Sequence, residues 1–465
     1  MENTPLDTSR AIADWASASV IADQSARTLG DRPLATVSVC ALAVATAPLA
    51  FVLTCGVRLL AVAELVRRPA PEATPLDDQD LPTYTVLVPI YRERSIVADL
   101  ARRMRAIDYP ADRLEVIVLT EEDDRETGLA VAEQMVGAPF RHVVVPPGSP
   151  RTKPRACNYG LAHSRGERVV VYDGEDRPEP DQLRKAAAAL DADPNLAVVQ
   201  CRLACDHAVG APTVTKLWAL DYDCLFGAVL PSLARADLLG GTSNHFRRDA
   251  LLSVGAWDAH NVTEDADLAV RLARAGWRSA FVRSITWEEA PLSPTAWARQ
   301  RSRWLKGFVV TSLVHMRRPR RLLTDLGWRR AAALYAQLPA ALLSVAAFPL
   351  SLGLLSTGAL DRSSPFTWLM ALGNLGSLCL AVAVASSALR SPGVRVWLGL
   401  LLPGYWTALA KAMTLSLCEL RSRRTHWSKT DHGLATRPPL KQTVSDRGAR
   451  GRPPSRHKGC INNGD

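Results

Sequence analysis

A run of apolar residues that ends in a cluster of acids constrains the fold of this chain more than any other feature. Residues 169–172 read Val-Val-Val-Tyr, and Asp173, Glu175 and Asp176 follow directly. An uninterrupted apolar run of this length is typical of a strand that is buried on both faces of a parallel sheet. Because Pro178 prevents the strand from continuing, the acids are expected at its carboxyl end, where open α/β sheets bind their ligands.

Two interpretations of these acids are open when they are considered alone. Carboxylates this close together can hold a hard cation such as Mg²⁺ or Mn²⁺, and that cation can neutralise a diphosphate. The alternative is an ordinary acidic turn at the protein surface, which is the commoner explanation for an isolated Asp-x-Glu. The rest of the chain decides between the two.

Strand-like and helix-like segments alternate from residue 84 onward. Short apolar runs predict the strands, and apolar residues spaced three or four apart predict the helices. This order is typical of an α/β fold with a doubly wound, mostly parallel sheet. The predicted strands are 85–90, 114–119, 142–145, 169–172 and 197–203; the predicted helices are 95–107, with Ser95 as its cap, 126–136, 153–163 and 180–190.

Apolar segments lie on both sides of this region. Residues 33–57 carry no charge and are long enough to cross a bilayer. Because Arg58, Arg67 and Arg68 follow, the positive-inside rule places the next region in the cytoplasm. Three later stretches are also predicted to be membrane-embedded, so that the chain is expected to be a multi-pass protein of the inner cell membrane. They are 331–360, 365–389 and 396–418.

These patterns divide the chain into six parts. The central part is expected to be a cytoplasmic catalytic domain, and the Trp- and Arg-rich segment after it is expected to lie at the membrane interface. The parts are a polar segment (1–32), a membrane helix (33–57), the cytoplasmic domain (82–290), interfacial helices (291–330), membrane-embedded helices (331–418) and a basic tail (419–465).

The positive charge of the chain is concentrated at its C-terminal end. The net charge is +10, and residues 421–465 hold eleven Lys and Arg against three Asp and Glu, which leaves +8 in this tail. This distribution argues against nucleic acid as a partner of the central domain. It favours a tail that lies on anionic membrane lipid.

Polar clusters follow the other predicted strands of the domain. Tyr91 and Glu93 follow the first strand, and Glu121 and Glu122 follow the second, where a carboxylate could accept hydrogen bonds from a ribose or base. Lys153 lies at the start of a predicted helix, where positive charge suits a diphosphate. Each of these clusters, taken singly, is also compatible with a solvated loop.

Two further motifs lie C-terminal to these strands. Residues 263–265 read Thr-Glu-Asp before a helix, and residues 300–304 read Gln-Arg-Ser-Arg-Trp. Singly, the first is compatible with a helix start that Thr263 caps, and the second with an interfacial helix that has an aromatic anchor.

Taken in order, these motifs closely resemble those of the inverting family-2 glycosyltransferases, in particular the processive, cellulose-synthase-like branch of bacterial membrane polysaccharide synthases. The resemblance covers about residues 82–432 and rests on Asp-x-Glu, Thr-Glu-Asp, Gln-x-x-Arg-Trp and the apolar segments after them. Residues 427–433, Trp-Ser-Lys-Thr-Asp-His-Gly, also resemble an element of the bacterial members. The family fold implied is a GT-A-like α/β domain with flanking transmembrane helices.

The resemblance also implies roles for individual residues. It implies a general base at Asp265 and a metal ion, Mg²⁺ or Mn²⁺, on Asp173 with Glu175 or Asp176. It implies a site for a UDP- or GDP-sugar formed by Tyr91, Glu93, Glu121 or Glu122, Lys153, Asp173, Gln300, Arg301 and Arg303, and an acceptor site formed by Trp304, Glu264, Thr242 and Ser243.

The function that follows is sugar transfer with inversion from a nucleotide-sugar donor to a growing polysaccharide, which gives a β-linked exopolysaccharide. One alternative is transfer of a single sugar to a lipid or to a polyprenyl phosphate. Another is a membrane protein that binds nucleotides or lipids without catalysis. The Gln-x-x-Arg-Trp motif argues against the first alternative, and the presence of Asp173, Asp265 and Trp304 argues against the second.

Overall fold

The computed structural model describes residues 46–60, 63, 74–205, 213–224, 238–291, 293–357, 363–388 and 401–422. The polar segment 1–32, the first part of the predicted membrane helix, nearly all of the basic tail and the element at 427–433 lie outside these residues.

Within the described residues, a mixed sheet of eight strands forms the centre of the domain that follows residue 82, in the order β3-β2-β1-β4-β7-β6-β8-β5. The strands are β1 (Tyr84–Ile90), β2 (Leu114–Glu121), β3 (Phe140–Val145), β4 (Arg168–Val171), β5 (Arg177–Pro178), β6 (Leu196–Cys205), β7 (Asn244–Arg247) and β8 (Arg278–Glu288).

The sheet is only partly the parallel sheet that the sequence predicts. Strands β3, β2, β1 and β4 are mutually parallel, and β6 is parallel to β8. Strand β7, which the sequence pattern did not reveal, is antiparallel to both β4 and β6 and lies between them. The two-residue strand β5 is antiparallel to β8. The antiparallel strands make the sheet mixed. Strand β7 has only four residues, and so short a strand carries no periodicity from which it could be predicted.

Helices cover both faces of the sheet and continue beyond it. They are α1 (Thr46–Leu60), α2 (Val97–Arg105), α3 (Arg125–Gln134), α4 (Lys153–His163), α5 (Gln182–Ala192), α6 (Thr213–Cys224), α7 (Arg248–Ser253), α8 (Glu264–Arg274), α9 (Pro294–Met316), α10 (Pro319–Gln337), α11 (Pro339–Ser356), α12 (Pro365–Ala388) and α13 (Leu402–Ser422), with short 3₁₀ turns at Arg94–Ile96 and Ala111–Arg113.

The alternation of side chains along the strands builds two cores. In β1, Val86 and Val88 pack in the cluster that contains α2, α3 and α5, whereas Leu87 packs on the other face with α4, α7 and α8. All three side chains are fully buried. A strand buried on both faces needs apolar residues at every position, which is why these strands read as continuous apolar runs. The prediction of a doubly wound α/β arrangement is confirmed in this respect.

The helix starts differ in detail from the sequence prediction. Helix α2 begins at Val97 after a 3₁₀ turn, so Ser95 is not its cap. Thr263 precedes α8, but its side chain makes no capping hydrogen bond. Asp124 does cap α3, because its side chain accepts a hydrogen bond from the backbone N–H of Thr127 at 3.3 Å.

The apolar helices meet the catalytic domain through α9. Gly307 of α9 lies so close to Thr263 that an added Cβ would come within 2.3 Å of its Oγ1. On another side, Trp297 donates a hydrogen bond to Tyr405 of α13 at 3.0 Å, and Lys306 pairs with Glu419 at 3.0 Å. Helix α9 therefore connects the catalytic domain with the C-terminal helices.

Among the described residues, one helical segment is long and apolar enough to cross a membrane. It is Pro319–Leu354, which includes α10 and α11, and Thr46–Leu60 and Pro365–Leu380 are shorter apolar helices. The described residues therefore do not support the multi-pass arrangement expected from the sequence.

Candidate active site

The carboxyl ends of β1, β2 and β4 meet at one edge of the sheet, because these three strands are parallel neighbours. Tyr91 and Glu93 follow β1, Glu121 ends β2, and Asp173 follows β4 after one residue. This is the edge at which the sequence predicts the ligand site.

Asp173 is the centre of a charged cluster at this edge. Its carboxylate pairs with the Lys153 ammonium, which also donates a hydrogen bond to the carbonyl of Gly241 at 2.8 Å. A methyl group added at Gly241 would lie 3.9 Å from Oδ2 of Asp265. The structure thus brings Lys153, Asp173 and Asp265 together, although they are far apart in the sequence.

Burial and charge act in opposite directions on Lys153. Burial alone would lower the pKa of its ammonium group. The carboxylates of Asp173 and Glu264 outweigh burial and raise this pKa above its usual value. Lys153 is therefore a fixed positive charge beside Asp173.

The three acids after β4 have different surroundings. Asp176 is fully buried, and its Oδ2 accepts hydrogen bonds from the Asp173 backbone N–H, at 2.8 Å, and from the Thr242 hydroxyl. Burial, together with the charges of Asp173 and Glu175, raises the pKa of Asp176 to about 8. Asp176 therefore holds the loop in shape, whereas Asp173 and Glu175 are only partly buried.

A buried arginine that the sequence analysis missed supports the same loop. The guanidinium of Arg103, on α2, donates hydrogen bonds to the carbonyls of Asp176 and Gly174, the latter at 2.8 Å, and its Nε lies 3.0 Å from the Asp99 carboxylate. Its position in an amphipathic helix gave no signal, because Arg103 reads there as an ordinary surface residue. The contact exists only once α2 packs beneath the loop.

The donor set of this loop fits a divalent metal ion that is shared with a diphosphate. Asp173 and Glu175 offer hard carboxylate oxygens, and Oδ1 of Asp176 is buried without a hydrogen-bond partner. The described residues contain no group of three or more His, Cys, Asp or Glu side chains arranged to hold a metal. Mg²⁺ sites typically have only one or two protein carboxylates, because substrate phosphates and water complete the coordination shell.

At the rim of the site, three side chains form one cluster. Tyr91 donates a hydrogen bond to Asp123 at 3.3 Å, and Arg151 contacts both, at 3.2 Å from the Tyr91 hydroxyl and 2.6 Å from the Asp123 carboxylate. Tyr91 was predicted from the sequence, whereas Asp123 and Arg151 were not assigned. The predicted acids beside them differ: Glu121 is buried and paired with Arg155 at 3.3 Å, and Glu122 is exposed.

Thr242 and Ser243, predicted at the acceptor site, are both buried. The Thr242 hydroxyl bonds to the Val171 carbonyl at 3.1 Å and to Asp176. The Ser243 hydroxyl donates to Gln182 at 2.9 Å and lies 2.7 Å from the hydroxyl of Thr286. The Thr242 hydroxyl thus joins β4 to the metal loop (residues 173–176), whereas the Ser243 hydroxyl joins α5 to β8. An acceptor contact of either hydroxyl stays a prediction.

The start of α8 carries the predicted base. Asp265 is half-buried, and burial raises the pKa of its carboxyl group to about 6, although the backbone N–H of Ala266 and the Lys153 charge oppose this effect. Glu264 beside it is buried, and burial together with the Asp265 charge raises its pKa to about 8. An acid with a pKa near neutrality is suited to accept a proton during catalysis.

The two arginines of the Gln-x-x-Arg-Trp motif face different parts of the molecule. Burial lowers the pKa of Arg303, and the nearby Glu264, Asp173, Asp265 and Glu175 oppose this effect, so Arg303 faces the acids. Arg301 lies instead over the ring of Trp304, with its guanidinium carbon 4.4 Å from the ring centroid.

The remaining predicted residues and one further acid complete the surroundings. Oε1 of Gln300 is buried without a hydrogen-bond partner. Oε2 of Glu93 would lie 3.3 Å from a methyl group added at Gly174, which places Glu93 beside the metal loop. Glu288, at the end of β8, was not predicted; it accepts a hydrogen bond from Tyr222 at 2.6 Å, and burial and the Asp176 charge raise its pKa well above the usual range.

Residues 82–307 match the family model described as "Glycosyltransferase like family 2". This domain is a glycosyltransferase. The match begins at the predicted domain boundary and continues to Gly307, so that it includes the Gln-x-x-Arg-Trp motif of α9.

Several relatives share the glycosyltransferase domain. The probable glycosyltransferase YdaM of Bacillus subtilis (strain 168) is 28% identical over 235 residues, which are 49% of this chain and 56% of YdaM. Cellulose synthase 2 of Novacetimonas hansenii is 29% identical over 259 residues, 53% of this chain and 15% of that enzyme. The beta-monoglucosyldiacylglycerol synthase of Synechocystis sp. (strain ATCC 27184 / PCC 6803 / Kazusa) is 26% identical over 403 residues, 82% of each chain.

The fold also resembles a solved structure, the mannosyltransferase PcManGT from Pyrobaculum calidifontis in complex with GDP-Man and Mn2+. The TM-score is 0.52 at 24% identity, and the match covers 80% of this chain and 98% of the other. At this identity the likeness establishes the glycosyltransferase fold alone.

Proposed function

We propose that the domain transfers a sugar, with inversion, from a nucleoside diphosphate sugar such as a UDP- or GDP-sugar to an acceptor hydroxyl. The observation that carries this proposal is the position of Asp265. It is a half-buried carboxylate with a pKa of about 6 at a helix start, in the same cluster as Lys153 and Asp173. The family match over residues 82–307 supports the assignment of this cluster as the active site.

Each of these side chains has a separate role in a single displacement reaction. Asp265 takes the proton of the acceptor hydroxyl as its oxygen forms a bond to the anomeric carbon. The bond from that carbon to the diphosphate breaks, and Lys153 and Arg303 place positive charge where the leaving group gains negative charge. Mg²⁺ or Mn²⁺ on Asp173 and Glu175 would supply further positive charge there. Attack opposite to the leaving group inverts the anomeric configuration.

A growing β-linked polysaccharide is the acceptor that the sequence resemblance favours. The match to cellulose synthase 2, which covers 53% of the chain, supports this acceptor. The half-buried indole of Trp304, at the end of the Gln-x-x-Arg-Trp motif, offers a flat apolar face on which a terminal sugar ring could stack.

A lipid hydroxyl is the second candidate acceptor. The relative that matches 82% of this chain, over 82% of its own length, is named for a diacylglycerol-based product, whereas the cellulose synthase match covers 53% of this chain. Both candidates require a membrane-bound enzyme. We propose that Pro319–Leu354 anchors the chain in the inner cell membrane, that the catalytic domain faces the cytoplasm, and that the further apolar segments are embedded beside it.

Product analysis with purified membranes tests the function and separates the two acceptors. Radiolabelled UDP- and GDP-sugars are supplied with Mg²⁺ or Mn²⁺, and the label is followed into an alcohol-insoluble polymer and into an organic extract. Label in a polymer supports the polysaccharide acceptor, and label in a small organic-soluble product supports the lipid acceptor. Asp265→Asn membranes are the matched control. Absence of donor turnover with every sugar would contradict the proposed function.

A further inference from the structure

A cavity of about 170 Å³ lies between the catalytic domain and the apolar helices. Helices α1, α9, α11, α12 and α13 contribute to its wall, and so does Ala266 of α8. Because Ala266 directly follows Asp265, this part of the wall lies next to the backbone of the catalytic base.

Most of the cavity wall is apolar. A sugar chain in such a space would lose hydrogen bonds to water without gaining protein partners, which is costly for each hydroxyl. Hydrocarbon in the same space would be removed from water, which is favourable. The apolar lining includes Leu342, Val345 and Phe348 of α11, Leu380 of α12 and Leu409 of α13.

The cavity wall also contains polar side chains, and one of them is a buried cation whose hydrogen bonds are incomplete. Arg301 is 5% exposed and lines the cavity, and its Nε and one terminal nitrogen have no hydrogen-bond partner. That terminal nitrogen lies 3.7 Å from the Asp221 carboxylate, too far for a hydrogen bond. The Asp221 carboxylate is held by Trp406, which donates to it at 3.2 Å. Buried donors of this kind normally have acceptors, so these two nitrogens are suited to donate hydrogen bonds to the oxygen atoms of a ligand.

We propose that this cavity binds the acyl chain of a lipid alcohol, which is the acceptor of the glycosyltransferase. Its ester or hydroxyl oxygens accept hydrogen bonds from Arg301, and its free hydroxyl reaches Asp265 past Ala266 and Trp304. This assignment rests on the proposed function, because the base acts on a hydroxyl. The hydroxyl oxygen bonds to the anomeric carbon, the bond to the diphosphate breaks with its electron pair, and the proton passes to Asp265.

Photocrosslinking of the full chain in phosphatidylcholine nanodiscs tests the site without donor turnover. The probe is dioctanoylglycerol with a diazirine in one acyl chain, and crosslinked peptides are mapped by mass spectrometry. We expect labels on residues 337–348, because the end of α10 and the first half of α11 line the cavity over this range. We expect excess unlabelled dioctanoylglycerol to remove them, and a soluble β-glucan oligosaccharide to leave them unchanged.

Two alanines of α11 provide a matched pair of variants. Ala341 lines the cavity, so Ala341→Phe fills it, whereas Ala346 is exposed and does not line it. We expect Ala341→Phe to reduce labelling and transfer to dioctanoylglycerol by at least about tenfold. We expect Ala346→Phe to match the wild type in both measurements. Binding of the nucleotide donor should be the same in all three proteins, which shows that they are folded.

The outcomes separate this site from the proposed function. Labels elsewhere, or equal labelling of both variants, would overturn the lipid site even if sugar transfer occurs. Protection by the oligosaccharide instead of the lipid would overturn it in favour of a polysaccharide path. Labelling of the cavity in a protein that turns over no donor would support the lipid site and reject the proposed function.

Discussion

Replacing Asp265 by Asn tests the assignment of the catalytic base most directly. Asn has nearly the same shape and can keep the hydrogen bond from the Ala266 backbone N–H, but it cannot accept a proton from the acceptor. Loss of a general base typically lowers the rate by about 10²–10⁴-fold. We expect a loss of this size in kcat, with donor affinity close to that of the wild type.

The pH dependence of the transfer rate gives a second, quantitative test of Asp265 as the base. Only the ionised carboxylate can act as the base, so activity should rise with pH through the pKa of Asp265, which is about 6. About nine-tenths of the groups would be ionised at pH 7 and just under one-tenth at pH 5, which predicts a rate loss of roughly tenfold between them. The residual activity of Asp265→Asn should lack this acidic limb.

The assay is release of nucleoside diphosphate at saturating donor, measured from pH 5 to pH 8 in both proteins, with donor affinity determined by direct titration. If Asp265→Asn kept more than about a tenth of the wild-type rate, or kept the same acidic limb, the assignment would be refuted. Asp265 would then be an acid that merely suits the first turn of α8.

Three further predictions follow from neighbouring contacts. Asp267→Asn removes the carboxylate that pairs with Arg271 and should lower the free energy of unfolding by about 3–5 kcal/mol at neutral pH. Burial opposes ionisation of Asp267, but Arg271 outweighs it and lowers the pKa of this carboxyl group. The difference in stability between variant and wild type should therefore shrink in thermal melts as the pH falls below about 4. Activity should require Mg²⁺ or Mn²⁺ and be abolished in Asp173→Ala, and undiminished turnover in a chelator would reject the metal. Melting curves should show that Asp176→Ala also destabilises the fold, since Asp176 accepts a hydrogen bond within the loop. Arg103→Ala should raise the Mn²⁺ concentration needed for half-maximal rate by about tenfold, with partial rescue by Arg103→Lys, whereas equal metal titration curves would limit Arg103 to stability.

Much of the site could be predicted because its residues are attached to strong local patterns. Asp173 follows a buried strand, and a strand buried on both faces must be apolar throughout, so its end is visible in the sequence. The acids of Thr-Glu-Asp precede an amphipathic helix, and that helix is found at Glu264–Arg274. Local periodicity therefore determined the α/β class, the strand ends and the motif that resembles family-2 glycosyltransferases.

Long-range packing decided what the pattern could not show. The insertion of β7 between β4 and β6 made the sheet mixed, because pairing partners are chosen by contacts between distant segments. Packing also separated the roles of adjacent residues: Asp176 is turned inward to Thr242, Arg103 supports the metal loop from beneath, and Arg301 faces an apolar cavity while Arg303 faces the acids. Side chains one or two positions apart on a loop or helix point in different directions. The elements that pack around them therefore decide which of them meets a ligand.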